Sequence, residues 1–183
     1  MKKILLIILI ALTITVPVHA SLKQTKVGSA GMEPTIHERD IVYFSAYGEE
    51  IPFYFGLNVC RFTIDEPQRN DIIIFKYPDD PSQLFMKRII GMPNEIVAIE
   101  DGKVYIDNSE TPLDEPFVNT ANGEPAGSFG PFLIPEDSYF VLGDNRNNSK
   151  DSRFWSNKFV PLEAIEGIVI ADANTEEIFV IDR

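Results

Sequence analysis

The sequence predicts a mainly β protein with an antiparallel, sandwich-like or barrel-like core, and two observations support this fold class. From residue 41 onward, short apolar or alternating runs are separated by turn residues, which is the pattern of β-strands. Helix signals are weak outside the N-terminal segment. The predicted strands or strand pairs are DIVYFSAY, NDIIIFKYP, LFMKRIIG, EIVAIEDGKVYID, DSYFVLG, EGIVIAD and EIFVID.

The run from Glu95 to Asp107 is the clearest strand pair. Two apolar stretches flank Asp101-Gly102, a dipeptide that accepts the positive φ of a tight hairpin turn. Residues 108–135 and 143–153 are rich in turn-forming and polar residues and are expected to be loops. The apolar run IPFYFGL, residues 51–57, is interpreted as core or a packed loop, with a surface that dips into a membrane interface as the alternative.

Residues 1–22 break the β pattern. After Lys2 and Lys3 this segment contains no Asp, Glu, Lys or Arg, and its length suits the roughly 20 residues of a transmembrane helix. The two lysines should then stay in the cytoplasm, so residues 23–183 would form one extracytoplasmic (periplasmic) domain anchored to the cytoplasmic membrane. A cleaved signal peptide is the alternative, because residues 18–20 have the small-residue pattern of a cleavage site.

Composition and charge exclude several classes of function. The chain has 28 acidic and 16 basic residues, and its net charge of −12 would repel the phosphate backbone of a nucleic acid. Cys60 is the only cysteine, so neither an internal disulfide nor a thiolate metal cluster can form. The charged neighbours of His37 indicate an exposed turn, so hydrolytic chemistry would need a base other than histidine.

Lys87 is a candidate for that base. In the run LFMKRIIG, period-two alternation places Phe85, Lys87 and Ile89 on one face of the predicted strand. If this face is buried, desolvation lowers the pKa of the lysine, and the neutral amine can accept a proton near neutral pH. The alternative is an edge strand from which Lys87 extends into water.

The loop GDNRNNSKDSRFW, residues 143–155, alternates carboxylates with guanidiniums. Paired hydrogen bonds among such groups can lock a loop and hold a hydroxyl group in place. The charged residues concerned are Asp144, Arg146, Asp151 and Arg153. The same composition also suits a solvated turn.

These motifs occur together and in the order found in one family. The chain resembles a bacterial type I signal peptidase, the membrane-anchored serine endopeptidase that removes signal peptides from exported proteins. The resemblance extends from the N-terminal segment to about Ile170. The matching stretches are SAGMEPTI (29–36), RDIVYF (39–44), RNDIIIFKYPDD (69–80), FMKRIIGMPNE (85–95), DGKVYID (101–107) and GDNRNNSKDSRFW (143–155).

The resemblance implies a serine–lysine dyad on an all-β core, with no metal or cofactor. Lys87 takes the place of the general base, Ser149 that of the serine that orients it, and Ser29 that of a serine whose hydroxyl binds the oxyanion. The surrounding framework corresponds to Asp144, Arg146, Asp151 and Arg153. The implied partners are the signal peptides of exported preproteins and the lipid bilayer. The nucleophilic serine belongs immediately before Met32, and the residue there is Gly31.

Gly31 leaves three hypotheses open. A signal peptidase could take its nucleophile from elsewhere, most simply from Ser29, which is two residues away and up to about 7 Å along an extended chain. A non-catalytic member of the family could use the retained groove to hold exported peptides, as a chaperone or assembly factor. Gly31 could also be a variant or an engineered inactivation of an ordinary peptidase.

Overall fold

The computed structural model describes residues 23–46, 48, 50–55, 58–63, 65–121 and 123–174. The predicted membrane segment, residues 1–22, and the predicted strand EIFVID, residues 177–182, lie outside the described residues. Within the described ranges, no helix combines the length and the apolar character needed to cross a bilayer.

Nearly all of the regular secondary structure in the described chain is β-strand. In chain order the strands are β1 (Lys23–Lys26), β2 (Ile41–Ser45), β3 (Glu50–Phe55), β4 (Asn58–Thr63), β5 (Ile72–Tyr77), β6 (Asp80–Gly91), β7 (Ile96–Glu100), β8 (Lys103–Ile106), β9 (Phe129–Leu133), β10 (Ser138–Leu142), β11 (Val160–Pro161) and β12 (Ile165–Asp172). Short 3₁₀ turns occupy Ala30–Met32, Arg146–Asn148 and Leu162–Ala164. Every strand pairing is antiparallel, which confirms the predicted fold class.

The strands form one large sheet and two small ones. The large sheet has the order β1-β2-β12-β5-β6-β10-β11, so the last described strand, β12, lies between β2 and β5. In the small sheets, β3 pairs with β4, and β7 lies between β8 and β9.

The small sheets confirm one local prediction and correct two. Asp101 and Gly102, with φ of 48° and 80°, form the turn of the predicted β7–β8 hairpin. β9 lies inside residues 108–135, which the sequence predicts to be a loop. The strand was not predicted because Gly130 and Pro131 interrupt its strand pattern. The run IPFYFGL was expected to be core or a packed loop, and the loop is wrong, because the backbone is paired strand from Ile51 to Phe55.

Both faces of β5 are buried from Ile72 to Phe75, which explains the apolar run at these four positions, whereas Lys76 further along the strand is exposed. Ile73 and Phe75 belong to a core cluster that includes Trp155, whereas Ile72 and Ile74 belong to a second cluster. A strand covered on both faces needs apolar residues at every position instead of at alternate ones. β6 lies directly beside β5, so the centre of the large sheet is a dry environment for the side chains that β6 carries.

We expect Ile89→Ala to lower the free energy of unfolding by about 2–5 kcal/mol, because this side chain of β6 is fully buried in the core. Leu84 lies on the same strand but is 58% exposed, and Leu84→Ala is expected to change stability by less than about 0.5 kcal/mol. Urea unfolding of the full chain in mild detergent measures both values. Equal losses in the two variants would contradict this assignment of the buried face.

Candidate active site

β6 places the side chain of Lys87 in the interior of the protein. Lys87 lies opposite Ile73 of β5, and β10 pairs with β6 from Arg88 onward. The lysine is only 5% exposed. The alternative in which Lys87 extends into water from an edge strand is therefore wrong.

Burial changes the acid–base chemistry of Lys87. Desolvation lowers the pKa of the amine below its usual 10.5, while the charges of Asp151 and Asp144 act in the opposite direction and Arg153 adds to the decrease. Nζ donates a hydrogen bond of 2.9 Å to the carbonyl oxygen of Met86. A lowered pKa increases the fraction of neutral amine at neutral pH, and the neutral amine is the form that can accept a proton.

Gly31 faces this amine. It is buried in the 3₁₀ turn Ala30–Met32. A Cβ atom at residue 31 would lie 3.2 Å from Nζ of Lys87, and 3.7 Å from both the carbonyl oxygen of Asn148 and Oγ of Ser29. A serine hydroxyl is one bond beyond Cβ, so the fold brings the predicted nucleophile position and the predicted base into direct contact.

Asn145 fixes the backbone of residue 31. Its main-chain N–H donates a hydrogen bond of 3.2 Å to the carbonyl oxygen of Gly31, and its Nδ2 donates one of 3.1 Å to that of Ala30. This role is missing from the sequence-based predictions. The only signal for it was the place of Asn145 in the GDN stretch of the charged loop.

Asp144 joins three separate segments. Its carboxylate accepts hydrogen bonds of 2.8 and 2.5 Å from Nε and Nη2 of Arg88, and one of 2.5 Å from Oγ1 of Thr35. The guanidinium of Arg88 also lies 4.0 Å from the ring centroid of Phe117. Asp144 was predicted as a framework residue, whereas Arg88 and Thr35 were not, although both lie in stretches that carry the family resemblance.

The other framework residues form two further ion pairs. Arg153 donates hydrogen bonds of 2.8 and 2.9 Å to Asp151, and Arg146 donates bonds of 3.2 and 2.5 Å to Glu115. Asp151 also accepts the main-chain N–H of Gly143 at 3.1 Å. The four predicted framework side chains are buried, so the solvated-turn alternative for this loop is wrong. Glu115 escaped prediction because it lies in a long segment that shows no pattern of its own.

Ser149 lines the same groove as Lys87 without a hydrogen bond to it. Its Oγ is buried and has no hydrogen-bond partner among the described residues. The hydroxyl packs against Gly143, where an added Cβ would come within 2.3 Å of Oγ. The role of orienting Lys87 that the resemblance implies for Ser149 therefore stays a prediction.

Ser29 lies at the exposed side of the site. It precedes the 3₁₀ turn in extended conformation, with φ of −155° and ψ of 158°. Its distance from the Cβ position of residue 31 makes it a neighbour of the reacting centre, and its oxyanion-binding role stays a prediction. His37 is exposed as expected, with Nδ1 3.7 Å from Oδ2 of Asp40. Among the described residues, no three His, Cys, Asp or Glu side chains are grouped in a way that could hold a metal ion.

A groove of about 950 Å³ runs past Gly31 and Lys87. One side is formed by residues 23–29, the other by residues 84–87 of β6, and residues 147–150 close part of it. Within the described chain, β1 is the outer strand of its sheet, and residues 84–87 pair with β5 but not with β10. Both sides of the groove therefore present strand edges that can pair with an extended peptide.

These features define a class of site, in which an antiparallel β core carries a buried amine as candidate base beside a groove for an extended peptide. Comparison with known proteins identifies the family. The family described as signal peptidase, peptidase S26 matches residues 1–172. The chain belongs to this signal peptidase family, as its sequence motifs predicted.

Individual relatives agree with this assignment. A probable signal peptidase I-2 of Synechocystis sp. is 34% identical over 144 residues, covering 76% of this chain and 57% of that protein. The signal peptidase I of Leptolyngbya laminosa is 36% identical over 146 residues, covering 76% and 62%. A crystal structure of a signal peptidase I from Enterococcus faecalis V583 matches with a TM-score of 0.50 and 36% identity, over 58% of this chain and 98% of that one. The chain spans about three-fifths of the length of the first two relatives.

We expect Lys87→Met to stabilise the fold near neutral pH. The lysine has its usual pKa of 10.5 when unfolded and a lower pKa when folded. The unfolded chain therefore binds more protons between these two pKa values. Burial of the lysine lowers the free energy of unfolding most below the folded pKa, and it no longer does so above 10.5. The stabilisation by Lys87→Met should accordingly shrink as the pH rises toward 10.5.

Urea unfolding near pH 7 and near pH 10 measures this trend. The exposed Lys103 on β8 provides the control variant Lys103→Met, for which no such pH-dependent stabilisation is expected. The same trend in both variants would contradict the effect of burial.

We expect Gly143→Ala to destabilise the site by about 1–3 kcal/mol through overpacking. The added Cβ would lie 2.3 Å from Oγ of Ser149 and 2.4 Å from the carbonyl oxygen of Gly31. Gly28→Ala is the control, because nothing lies within 4 Å of a Cβ there. Denaturant unfolding compares the two variants, and a Gly143→Ala chain as stable as Gly28→Ala would show that the loop is looser than its contacts indicate.

Proposed function

We propose that this chain binds the signal peptides of exported preproteins in the groove between β1 and β6, at a site built for their cleavage. The observation that carries this proposal is the 3.2 Å between Nζ of Lys87 and the Cβ position of residue 31. This short distance, inside a groove, supports Lys87 as the base and residue 31 as the nucleophile position. The relatives named signal peptidase I support peptide removal as the activity of such a site.

Strand pairing is the proposed mode of binding. An extended peptide between β1 and residues 84–87 would form main-chain hydrogen bonds with both strand edges and depend little on its own sequence. Phe44, Ile74 and Met86 line the groove and suit small apolar side chains near the cleaved bond. The carbonyl after a small residue would then lie beside residue 31.

Cleavage in an active form would begin with attack of a residue 31 hydroxyl on that carbonyl. Lys87 would remove the proton of the hydroxyl and later activate water to release the acyl group. The main-chain N–H of Gly31 and the hydroxyl of Ser29 would bind the oxyanion. This chain keeps the binding groups and lacks the attacking hydroxyl. Serine proteases that lose a triad member retain about a thousandfold acceleration over water, and we propose a turnover in that low range.

Ser29 is not proposed as a replacement nucleophile. Its Oγ lies 3.7 Å from the residue 31 Cβ position, whereas the hydrogen bond of Lys87 goes to Met86. For Ser29 to reach the base, the turn at residues 30–32 would have to shift. The two hydrogen bonds from Asn145 to this turn oppose such a shift.

Gly31 supports a second candidate function, in which the groove holds exported peptides without cutting them, as a chaperone or assembly factor would. For either function we propose that residues 1–22 form a single membrane anchor with its N-terminus in the cytoplasm. The support is the run of apolar residues after Lys2 and Lys3. The groove would then lie on the extracytoplasmic side, where signal peptides emerge.

We expect Gly31→Ser to cleave a preprotein at least about a thousandfold faster than the unaltered chain, because it supplies the hydroxyl that Lys87 faces. Cleavage by the purified full chain in detergent is followed by mass spectrometry of the new N-terminus. Gly31→Ala is the matched control and should remain as slow as the unaltered chain.

Two results would overturn parts of this proposal. Turnover by the unaltered chain as fast as that of Gly31→Ser, lost in Ser29→Ala, would establish Ser29 as nucleophile. Failure of both the unaltered chain and Gly31→Ser to bind a fluorescently labelled signal peptide, measured by anisotropy, would exclude the groove as its site. Binding with at most very slow cleavage by the unaltered chain, together with fast cleavage by Gly31→Ser, is the expected pattern.

A further inference from the structure

We propose that Lys87 is itself a nucleophile in this chain, and that its amine forms a Schiff base with aldehydes that enter the groove, peptidyl aldehydes above all. A serine at residue 31 would cover this covalent site, and a glycine leaves it open. Only the preference for a peptidyl aldehyde rests on the proposed function, since the reactivity of the amine depends on its surroundings alone.

The amine of Lys87 is open to the groove on the side of residue 31. Nζ donates a hydrogen bond of 2.9 Å to the carbonyl oxygen of Met86, and the ring centroid of Phe85 lies 5.8 Å away. Toward residue 31 there is no side chain, although a Cβ there would approach Nζ to 3.2 Å. Gly31 and Lys87 both line the groove, so the missing side chain opens a path from the groove to the nitrogen.

Lys87 also has the chemical character of a nucleophilic amine. Desolvation lowers its pKa, and lysines desolvated in apolar surroundings form Schiff bases with carbonyl compounds. The other nucleophiles of the groove lack this combination. Ser149 has its Oγ buried, and Ser29 is exposed with no hydrogen bond to a base. Three further lysines, Lys23, Lys26 and Lys150, line the same groove but are exposed to water.

The reaction balances without an added oxidant or cofactor. The nitrogen lone pair attacks the aldehyde carbon, a C–N bond forms, and the carbonyl oxygen takes up a proton. This proton replaces one that leaves nitrogen, and a second hydrogen then leaves nitrogen as the oxygen departs as water. The C=N bond forms in this step. The hydroxyl of a serine at residue 31 would instead form a hemiacetal with the same aldehyde, which reverts when the aldehyde is removed.

Reductive trapping tests the proposal. The full chain in detergent is incubated with an acetylated tripeptide aldehyde that carries alanine at its first and third positions, and cyanoborohydride reduces any imine to a stable secondary amine. Mass spectrometry of peptide fragments then measures labelling at each lysine. We expect Lys87 to be labelled at least about tenfold faster than the exposed Lys150.

Two variants test the role of the open position. Gly31→Ala places a methyl group against Nζ and is expected to reduce labelling of Lys87 at least about tenfold. Gly31→Ser should reduce it similarly, by covering the amine and by competing for the aldehyde. Circular dichroism of each variant shows whether it is folded, so that a loss of labelling is not mistaken for unfolding. Unchanged labelling in both folded variants, or equal labelling of Lys87 and Lys150, would overturn the proposal.

A smaller aldehyde separates this inference from the proposed function. Propanal can reach Lys87 without any peptide-binding site. Selective labelling by propanal, with no advantage for the tripeptide aldehyde and no competition from a signal peptide, would support the nucleophile and contradict the peptide groove. If Lys87 reacts with neither aldehyde but the chain still binds a labelled signal peptide, the peptide groove is supported and the nucleophile is contradicted.

Discussion

One buried ion pair holds the parts of the site together. Arg88 follows Lys87 on β6, Asp144 lies at the start of the charged loop, and Asp144 also accepts a hydrogen bond from Thr35, in the segment that carries Gly31. Because the pair is almost completely withdrawn from water, loss of one partner would leave an uncompensated charge, at a cost of about 3–5 kcal/mol. The charge of Asp144 also acts to raise the pKa of Lys87 against desolvation. One carboxylate therefore influences both the geometry of the site and the proton affinity of Lys87.

The central strands of the fold were predictable from sequence because burial imposes a simple pattern on them. β5 is apolar at consecutive positions since both its faces are covered, and the β7–β8 hairpin is marked by a dipeptide suited to positive φ. β1 and β9 were not predictable. β1 is a four-residue strand of polar residues whose structure depends on pairing with β2. β9 contains Gly130 and Pro131, and its strand conformation follows from its partner β7.

The candidate site also has parts that were predictable from sequence and parts that were not. Lys87, Gly31 and the charged loop were predictable, because each lies in a motif whose residues are neighbours in sequence. Their contacts were not, because Thr35 and Asp144 are separated by 109 residues and Ala30 and Asn145 by 115. Spacing along a chain carries no direct information on such contacts. The unpaired hydroxyl of Ser149 is likewise a property of the folded loop, although its sequence position matched the family.

The position of β12 in the large sheet bears on when the site comes into existence. β12 is the last described strand, and in the described sheet it lies between β2 and β5. On the β2 side lie β1 and the start of the segment that carries Gly31. On the β5 side lies β6, which carries Lys87. During synthesis from the N-terminus, the residues that form both sides of the groove are made long before residues 165–172, which join them. Such long-range pairing is also slow to form. The groove therefore assembles only once residues 165–172 are available, and shorter lengths of the growing chain lack it.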